Sequence, residues 1–440
     1  MTRPHAPRPL VSRPTRRELL RIAGTAAALS AASCTTVTPS AARRATPVPG
    51  PDDVMRVGLV GCGGRGTGAA VNALRADPAV ELVALGDTFA DQVDASLVSL
   101  GEVEDIAPRV KVDDAHKFVG WDAYRGVIEA SDVVLLATSP HFRPLHVRAA
   151  VDAGRHLFIE KPVATDAPGV RSILESCEDA KTKGLTVVSG LCYRYQNAKR
   201  ETIRRIHEGA VGDIVALQCT YNAAGLWHRG RKPEWSEMEY QMRNWLYFTW
   251  LSGDHIAEQH IHSLDKLAWA MGGFPTRCSA SGGRSVRTGE EYGNVYDHFN
   301  TVYEWENGVR GFASCRQWNG ASTDVSDWVF GTQGRANIQR HRIESGAWSW
   351  RYDSDEPDDM YQNEHDAMFA SIRSGEARND GEYMCGSTLM AIMGRMSAYT
   401  GQTIQWEDAW ASVEDLSPDA YVWGDAPDAV IARPGVTPFT

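Results

Sequence analysis

The sequence lacks the features that three classes of protein require. Its formal net charge of −11 argues against nucleic acid as a partner, because phosphate binding needs a basic face. None of its eight cysteines belongs to a C-x-x-C pair, so neither a zinc site nor a disulfide framework is indicated. Its 440 residues, 43% hydrophobic and 23% charged, predict two substantial globular domains.

The first 50 residues carry Pro, Arg, Ala and Ser without a pattern that could join a core. Arg16 and Arg17 lie in a Thr-Arg-Arg-Glu-Leu-Leu sequence, which predicts a signal peptide read by the twin-arginine export machinery. The apolar run that follows is shorter than the ~20 residues of a membrane span. Small residues precede Cys34, so a lipid anchor at Cys34 and ordinary cleavage nearby both stay open. We therefore expect a periplasmic or cell-envelope protein with a signal peptide and flexible tether over 1–50, and free, buried thiols at the other cysteines.

A glycine-rich motif, Gly61-Cys62-Gly63-Gly64-Arg65-Gly66, lies between an apolar strand over 55–60 and a helical stretch over 67–76. In this context Gly61 allows a tight turn, Gly63 lets the backbone approach a pyrophosphate, and Gly66 lets helix and strand pack closely. The phosphates lie on the helix N-terminus. The motif predicts a cofactor-binding loop made of Gly61, Gly63, Gly64, Arg65 and Gly66.

A second strand, over 81–86, ends at Asp87, 21 positions after Gly66. An acid at this position accepts hydrogen bonds from a ribose diol and repels a 2′-phosphate, so NAD is favoured over NADP. Asp87 could also serve only as a helix N-cap, and the two roles are compatible.

Apolar strands and amphipathic helices continue to alternate up to residue 189. This alternation indicates a doubly wound parallel sheet, and we predict an α/β Rossmann domain over 51–192. Ligands of such sheets bind outside the carboxyl ends of the strands. Lys161, in the Glu160-Lys161-Pro162 turn, follows directly after the apolar strand 156–159.

The pattern changes from residue 213, where longer alternating segments begin. We predict strands over 214–221, 276–284, 298–305, 308–316 and 324–331. A Trp-rich insertion over 227–250 and a helix over 256–271 separate the first two. These segments predict an α+β domain over 193–440 with a large open, mainly antiparallel sheet, whose C-terminal segment packs back on the Rossmann domain.

The glycine motif, Thr138 with Pro140 and His146 in the next strand-helix unit, and the Glu160-Lys161-Pro162 turn together resemble the Gfo/Idh/MocA family of glucose-fructose oxidoreductase and inositol dehydrogenase. The resemblance covers the chain from Met55 onward. It implies an NAD(P)-dependent oxidoreductase that acts on CH-OH groups of carbohydrates and forms a homo-oligomer. It places Lys161 beside the nicotinamide and the reacting hydroxyl, and it adds to the cofactor site Thr138, Ser139, Pro140, His146 and Glu160.

Glu258 and His262 stand at i, i+4 of the predicted helix 256–271 and would project from one face. A histidine suits the removal of a hydroxyl proton because its pKa lies near neutrality. The family's D-x-G-x-H motif implies His262 as the base, with Glu258 in the position of the Asp. A metal held by His255, Glu258 and His262 is disfavoured, because it would occupy the space that hydride chemistry needs, and we predict no metal.

Aromatic faces and arginines suit a sugar or cyclitol with many hydroxyls. On this basis the predicted substrate contacts are Tyr193, Arg194, Arg243, Trp245, Asp265 and His298.

An exported protein cannot depend on soluble NAD, so we expect a tightly bound cofactor that is regenerated in place. The favoured hypothesis is an oxidoreductase in which Lys161 polarises the substrate oxygen and His262 removes the proton. The alternative is a redox-neutral glycosidase or lyase that oxidises, eliminates and returns the hydride. A non-catalytic sugar-binding protein is a third hypothesis, disfavoured by the presence of both Lys161 and His262.

Overall fold

The computed structural model describes residues 48–346 and 348–440. The twin-arginine sequence, Cys34 and the predicted tether up to residue 47 lie outside the described residues. In the described part of the chain, no helix is both long enough and apolar enough to cross a membrane. The seven cysteines found there are free and buried, which confirms that prediction for the described residues.

The first domain is built on a six-stranded sheet in the order β3-β2-β1-β4-β5-β6. All of its pairs are parallel, and β1, β4 and β5 are buried apolar runs because helices cover both faces. The predicted doubly wound sheet is therefore confirmed. Its strands are β1 Met55–Val60, β2 Val80–Asp87, β3 Lys117–Val119, β4 Val133–Leu136, β5 His156–Ile159 and β6 Val187–Ser189. Its helices are α1 Gly64–Ala76, α2 Ala90–Gly101, α3 Ala123–Ala130, α4 Arg143–Asp152 and α5 Ala167–Thr182.

The second domain contains a nine-stranded sheet in the order β14-β13-β12-β11-β7-β10-β9-β8-β15. Only β7 and β10 pair in parallel, so the predicted mainly antiparallel sheet is confirmed. Its strands are β7 Ile214–Ala223, β8 Arg277–Gly283, β9 His298–Glu304, β10 Arg310–Gln317, β11 Asp324–Gly331, β12 Gly334–Asn337, β13 Arg342–Ser345, β14 Trp348–Arg351 and β15 Ile404–Gln405. The sequence did not predict β12 to β14, since these four-residue strands form an edge and expose much of their surface.

Helices in the second half of the chain connect the two sheets. They are α6 Asn197–His207, α7 Glu237–Arg243, α8 Thr249–Ser252, α9 His255–Glu258, α10 Ile261–Met271, α11 Met360–Ser374, α12 Gly381–Thr400 and α13 Trp406–Ala411. Helix α11 packs against α1, and the backbone of Val187 bonds to Arg378 and Asp380 at the edge of the first sheet. Helix α12 is buried along nearly its whole length, which is why it lacks an amphipathic pattern.

The predicted helix over 256–271 is corrected to two helices, α9 and α10. The amide of His260 donates to the carbonyl of His255, five residues back, and the α-helical pattern restarts at Ile261. Glu258 and His262 are therefore not on successive turns of one regular helix. The interruption places Glu258 at the end of α9 and His262 in the first turn of α10.

Candidate active site

The glycine loop joins β1 to α1 and leaves open the side where a pyrophosphate would bind. Gly61 has φ +96°, and a Cβ on Gly66 would lie 1.9 Å from the carbonyl oxygen of Gly61, so both positions require glycine. A Cβ on Gly63 or Gly64 would meet nothing within 4 Å. Since no side chain caps the N-terminus of α1, its free amides fit the phosphates of a dinucleotide.

Asp87, at the end of β2, is held beside this loop. Its carboxylate accepts hydrogen bonds from the backbone amides of Cys62 (2.7 Å) and Phe89 (3.0 Å). Burial raises its pKa, and these two bonds oppose that shift. The acid is fixed next to the phosphate loop, which is the position that the ribose of a dinucleotide requires.

The predicted cofactor contacts in the turn after β4 and in α4 differ in their surroundings. The hydroxyl of Thr138 is buried and has no partner among the described residues, so it is free to bond a ligand, and Ser139 and Pro140 begin the next helical turn. His146 instead packs away from the loop, stacked on Tyr124 at 4.3 Å. Burial lowers its pKa to about 3.

Arg65 bridges two buried acids. Its Nε donates to Glu160 and its Nη2 donates to Glu364 at 2.7 Å. Burial opposes ionisation of Glu160, but Arg65, Lys161 and Arg143 outweigh that effect and lower its pKa. Burial raises the pKa of Glu364 well above its usual range. Arg65, predicted as part of the cofactor-binding loop, thus joins the glycine loop to the Glu160-Lys161-Pro162 turn and to α11.

Lys161 and Glu258 form an ion pair between the two domains. The Lys161 ammonium donates to the Glu258 carboxylate at 3.0 Å and also to its backbone carbonyl. Each side chain is 14% exposed. The pair lies beyond the carboxyl end of β5, so the two domains meet at the edge where an open α/β sheet binds its ligand.

His262 lies edge-on to Tyr193, with ring centroids 5.1 Å apart. Burial, followed by the positive charges of Lys161 and Lys266, lowers the pKa of His262 well below its usual value. Its Nδ1 is buried and has no hydrogen-bond partner among residues 48–346 and 348–440. The imidazole is therefore neutral at physiological pH and can accept a proton.

Two buried lysines contact the ring of Tyr193. The Nζ atoms of Lys199 and Lys266 lie 4.4 and 4.3 Å from its centroid. Lys266 pairs with buried Asp327, whereas Lys199 bonds the neutral side chains of Gln196 and His341. Burial, followed by the charge of Lys266, lowers the pKa of Lys199 to about 7. Sequence reasoning missed both lysines, because lysines are usually exposed.

Of the six predicted substrate contacts, the structure brings only Tyr193 against His262. Arg194 and Asp265 bond each other through two nitrogens at 2.8–3.1 Å, and Asp265 is 1% exposed. Each charge is therefore neutralised by the other, and the pair links Arg194 to α10.

The other three predicted contacts lie in the insertion and at one end of the second sheet. Arg243 pairs with Asp91 and Glu239. Trp245 lies edge-on to Trp227, with ring centroids 6.5 Å apart. His298 bonds Asp297 at 2.8 Å through Nδ1.

The alternative metal site is not formed by the residues that the structure describes. Among them, no three His, Cys, Asp or Glu side chains converge to hold a metal ion. His255 packs against Phe299, with ring centroids 5.1 Å apart. The site therefore combines an open phosphate loop with a lysine and a neutral histidine, a set suited to moving a proton beside a dinucleotide.

Two parts of the chain match domains of one family. Residues 55–190 match the oxidoreductase family with an NAD-binding Rossmann fold. Residues 200–337 match the GFO/IDH/MocA C-terminal domain.

Curated relatives and solved structures extend the match. An inositol 2-dehydrogenase of Cereibacter sphaeroides is 33% identical over 291 residues, which cover 64% of this chain and 73% of that protein. A glycosyl hydrolase family 109 protein of Streptomyces niveus is 29% identical over 168 residues, which cover 38% of this chain and 32% of that protein. This chain spans about half the length of three further curated relatives, with matches that cover 44%, 51% and 41% of those proteins.

The fold is also that of the WlbA dehydrogenase of Bordetella pertussis, solved in complex with NADH and UDP-GlcNAcA. The TM-score is 0.61 at 20% identity, and the match covers 80% of this chain and 98% of that one. At this identity the likeness shows the fold alone. The two domain matches and the inositol 2-dehydrogenase relative show that this chain belongs to the GFO/IDH/MocA family of oxidoreductases, with an NAD-binding Rossmann domain at its N-terminal side.

Proposed function

We propose that this protein transfers a hydride between a sugar or cyclitol hydroxyl and a tightly bound NAD. The observation that carries the proposal is the Lys161–Glu258 ion pair at the carboxyl end of β5, near His262, whose pKa is lowered by burial and by the charge of Lys161. Bound NAD would supply the hydride acceptor in one direction and the hydride donor in the other. The similarity to an inositol 2-dehydrogenase supports a polyhydroxylated substrate.

The residues of this chain have separate roles in the proposed reaction. The Lys161 ammonium approaches the substrate oxygen and stabilises the negative charge that develops there. His262 takes the hydroxyl proton as the C–H hydride leaves, so that an alcohol becomes a ketone by losing one proton and one hydride. Glu258 holds Lys161 in place through the 3.0 Å bond. Reduction runs through the same groups in reverse.

A redox-neutral glycosidase or lyase is the second candidate, and the glycosyl hydrolase family 109 relative favours it. In that reaction a transient ketone acidifies the neighbouring C–H, and loss of that proton expels the aglycone, which leaves as its alcohol. In a glycosidase, water then adds across the double bond that remains, whereas in a lyase the double bond is kept. The hydride finally returns to the ketone. The cofactor-loaded protein is incubated with aryl glycosides and with free sugars. Reduced nicotinamide without phenol release supports net oxidation, phenol release without net reduction supports the second candidate, and sugar binding without either product supports a binding protein.

Export by the twin-arginine route is part of the proposal and is supported by Arg16 and Arg17 in their motif. A lipid anchor at Cys34 and assembly into a homo-oligomer are further parts of it. Fractionation of cells that make the full chain tests the location, and light scattering tests the assembly.

Replacing His262 by Gln should lower kcat about 10²-fold, the lower end of what a general base contributes. Binding of the sugar, measured by calorimetry, should persist. Because burial and nearby cations lower the pKa of His262 well below its usual value, the wild-type rate should stay flat as pH falls through 6.5, the ordinary histidine pKa. An acid limb near that pH that is absent from His262→Gln would contradict the neutral imidazole.

Replacing Asp87 by Asn should weaken discrimination between NAD and NADP about tenfold, since a hydrogen bond to a charged group contributes ~1.5–3 kcal/mol. Cys62 and Phe89 donate to separate oxygens of Asp87, so the single oxygen of a side-chain amide can accept only one of these bonds. The amide also no longer repels a 2′-phosphate. Dissociation constants for both cofactors are measured by fluorescence. Asp94→Asn, on the exposed face of α2, is the control, and an unchanged ratio in Asp87→Asn would exclude the ribose role.

A further inference from the structure

The last 29 residues, 412–440, form a strap that lies outside both family matches. They contain no helix or strand of their own. The hydroxyl of Ser412 donates to the carbonyl of Thr440, which joins the two ends of the strap. The backbone amide of Gly435 donates to the carbonyl of Thr400 at 2.8 Å, which fixes the end of the strap against α12. The strap is therefore a loop of defined path.

The strap crosses the carboxyl ends of the first sheet from β5 towards β3. The amide of Leu416 donates to Asp166, shortly after β5, at 3.1 Å. Tyr421 bonds His141, in the turn after β4, at 2.8 Å. Dinucleotides bind along this same edge, with the two halves of the cofactor on either side of the switch between β1 and β4.

Trp423 reaches the side of this edge where the adenosine half belongs. Its ring lies 4.8 Å from Trp121, which follows β3, and 5.7 Å from Phe89, which follows β2. Phe89 is two residues beyond Asp87, whose position is that of the ribose contact. Trp423 nevertheless stays 47% exposed, so much of its surface is still open.

The second domain holds the strap in place from the other side. The carbonyls of Gly424 and Pro427 accept bonds at 3.0 Å from α7, through the amide of Met238 and the side chain of Gln241. The hydroxyl of Tyr296 donates to Ala432 at 2.9 Å. The strap thus spans from the Rossmann domain to the second domain over one continuous path.

The Trp-rich insertion over 227–250 also contacts the segment that follows Asp87. Arg243 of α7 pairs with Asp91 of α2 at 3.0 Å, and its guanidinium lies 3.9 Å from the ring centroid of Phe89. Strap and insertion therefore both contact the segment that follows Asp87.

We propose that the strap, through Trp423, covers the adenosine half of the NAD site and makes release of the cofactor slow. The proposal rests on the NAD-binding function and gives a physical basis for a tightly bound cofactor. It assigns to residues outside the family matches a contact with the adenosine part of the dinucleotide. Hydride transfer itself does not depend on it.

The test measures release of NAD without measuring turnover. The full chain is loaded with radiolabelled NAD and passed through a desalting column, and loss of label is followed after a chase with unlabelled NAD. Trp423→Ala should release label about tenfold faster than wild type, which corresponds to about 1.4 kcal/mol and to one aromatic contact. Release from Trp423→Ala at the wild-type rate would overturn the proposal.

Two further variants accompany this test, one as a control and one with an intermediate expected effect. Trp348→Ala removes an exposed tryptophan of β14 and should release label at the wild-type rate. Tyr421→Phe keeps the ring and removes the hydroxyl that bonds His141 and Ser417, so its release should be faster than wild type and slower than Trp423→Ala. If Trp348→Ala released labelled NAD as fast as Trp423→Ala, the faster release would not be specific to the strap and the proposal would fail.

A second measurement keeps the proposal testable if Trp423→Ala folds poorly. In the wild-type protein, NAD should slow amide hydrogen exchange within residues 416–424, whereas residues 342–351 should exchange at an unchanged rate. Unchanged exchange in the strap, with NAD shown to bind, would contradict the covering role. Oxidation of a sugar with added NAD in that case would leave the proposed function standing and overturn only the strap.

Discussion

Replacing Lys161 by Met should lower kcat about 10³-fold, the upper range for removal of one donor to a developing oxyanion. The Lys161 ammonium is the only positive group shown to bond Glu258 in the described chain, and in the proposed reaction it stabilises the substrate oxygen as that oxygen gains charge. Methionine preserves the length and bulk of the side chain and removes the charge. Single-turnover reduction of bound NAD, followed by absorbance with a sugar or inositol, measures the effect.

The controls separate a catalytic role from a structural one. Lys181→Met removes an exposed lysine of α5 and should retain wild-type kcat. Lys161→Met combined with Glu258→Gln removes the unpaired carboxylate that the single variant leaves behind, so it should recover stability but not turnover. Recovery of turnover in the double variant would show that Lys161 serves only to neutralise Glu258.

The elements that the sequence predicted are those with a local pattern. The strand 156–159 is a continuous apolar run, and the structure gives it four buried residues. The break between α9 and α10 has no such signal, since residues 255–262 contain neither Gly nor Pro. It depends on tertiary contacts, among them the bond from Gln317 to Gln259 within the break. Periodicity alone could not locate it.

The same difference between local and long-range signals separates the site residues that the sequence revealed from those that it did not. The turn at Lys161 and the glycine loop were found because their residues are contiguous. Glu364 meets Arg65 across most of the chain, and no spacing rule connects them. Arg194 was predicted as a substrate contact because arginines suit a sugar, and Asp265 because it follows Glu258 and His262 on the predicted helix. The structure pairs the two with each other. A single sequence cannot distinguish a charge that binds substrate from one that is neutralised by a distant partner.

Replacing Lys266 by Met should lower the free energy of unfolding by about 3–5 kcal/mol, the usual cost of removing one partner from a buried ion pair. Lys266 and Asp327 are both fully buried. Within the described part of the chain, the second carboxylate oxygen of Asp327 already lacks a hydrogen-bond partner, so the variant would leave a buried charge without compensation. Urea unfolding followed by fluorescence measures the loss.

Lys199→Met is the matched comparison, and its expected effect on stability at pH 6 has the opposite sign. It removes a buried lysine that bonds Gln196 and His341 and that forms no ion pair with a carboxylate of the described residues. Because burial lowers its pKa to about 7, against ~10.4 in an unfolded chain, the charged form opposes folding below pH 7. That penalty shrinks as pH rises from 7 to ~10.4. Lys199→Met should therefore be more stable than wild type at pH 6, and its advantage should fall by pH 9. Equal losses of stability in Lys199→Met and Lys266→Met at pH 6 would show that packing around Tyr193, and not the pairing of Asp327, determines stability here.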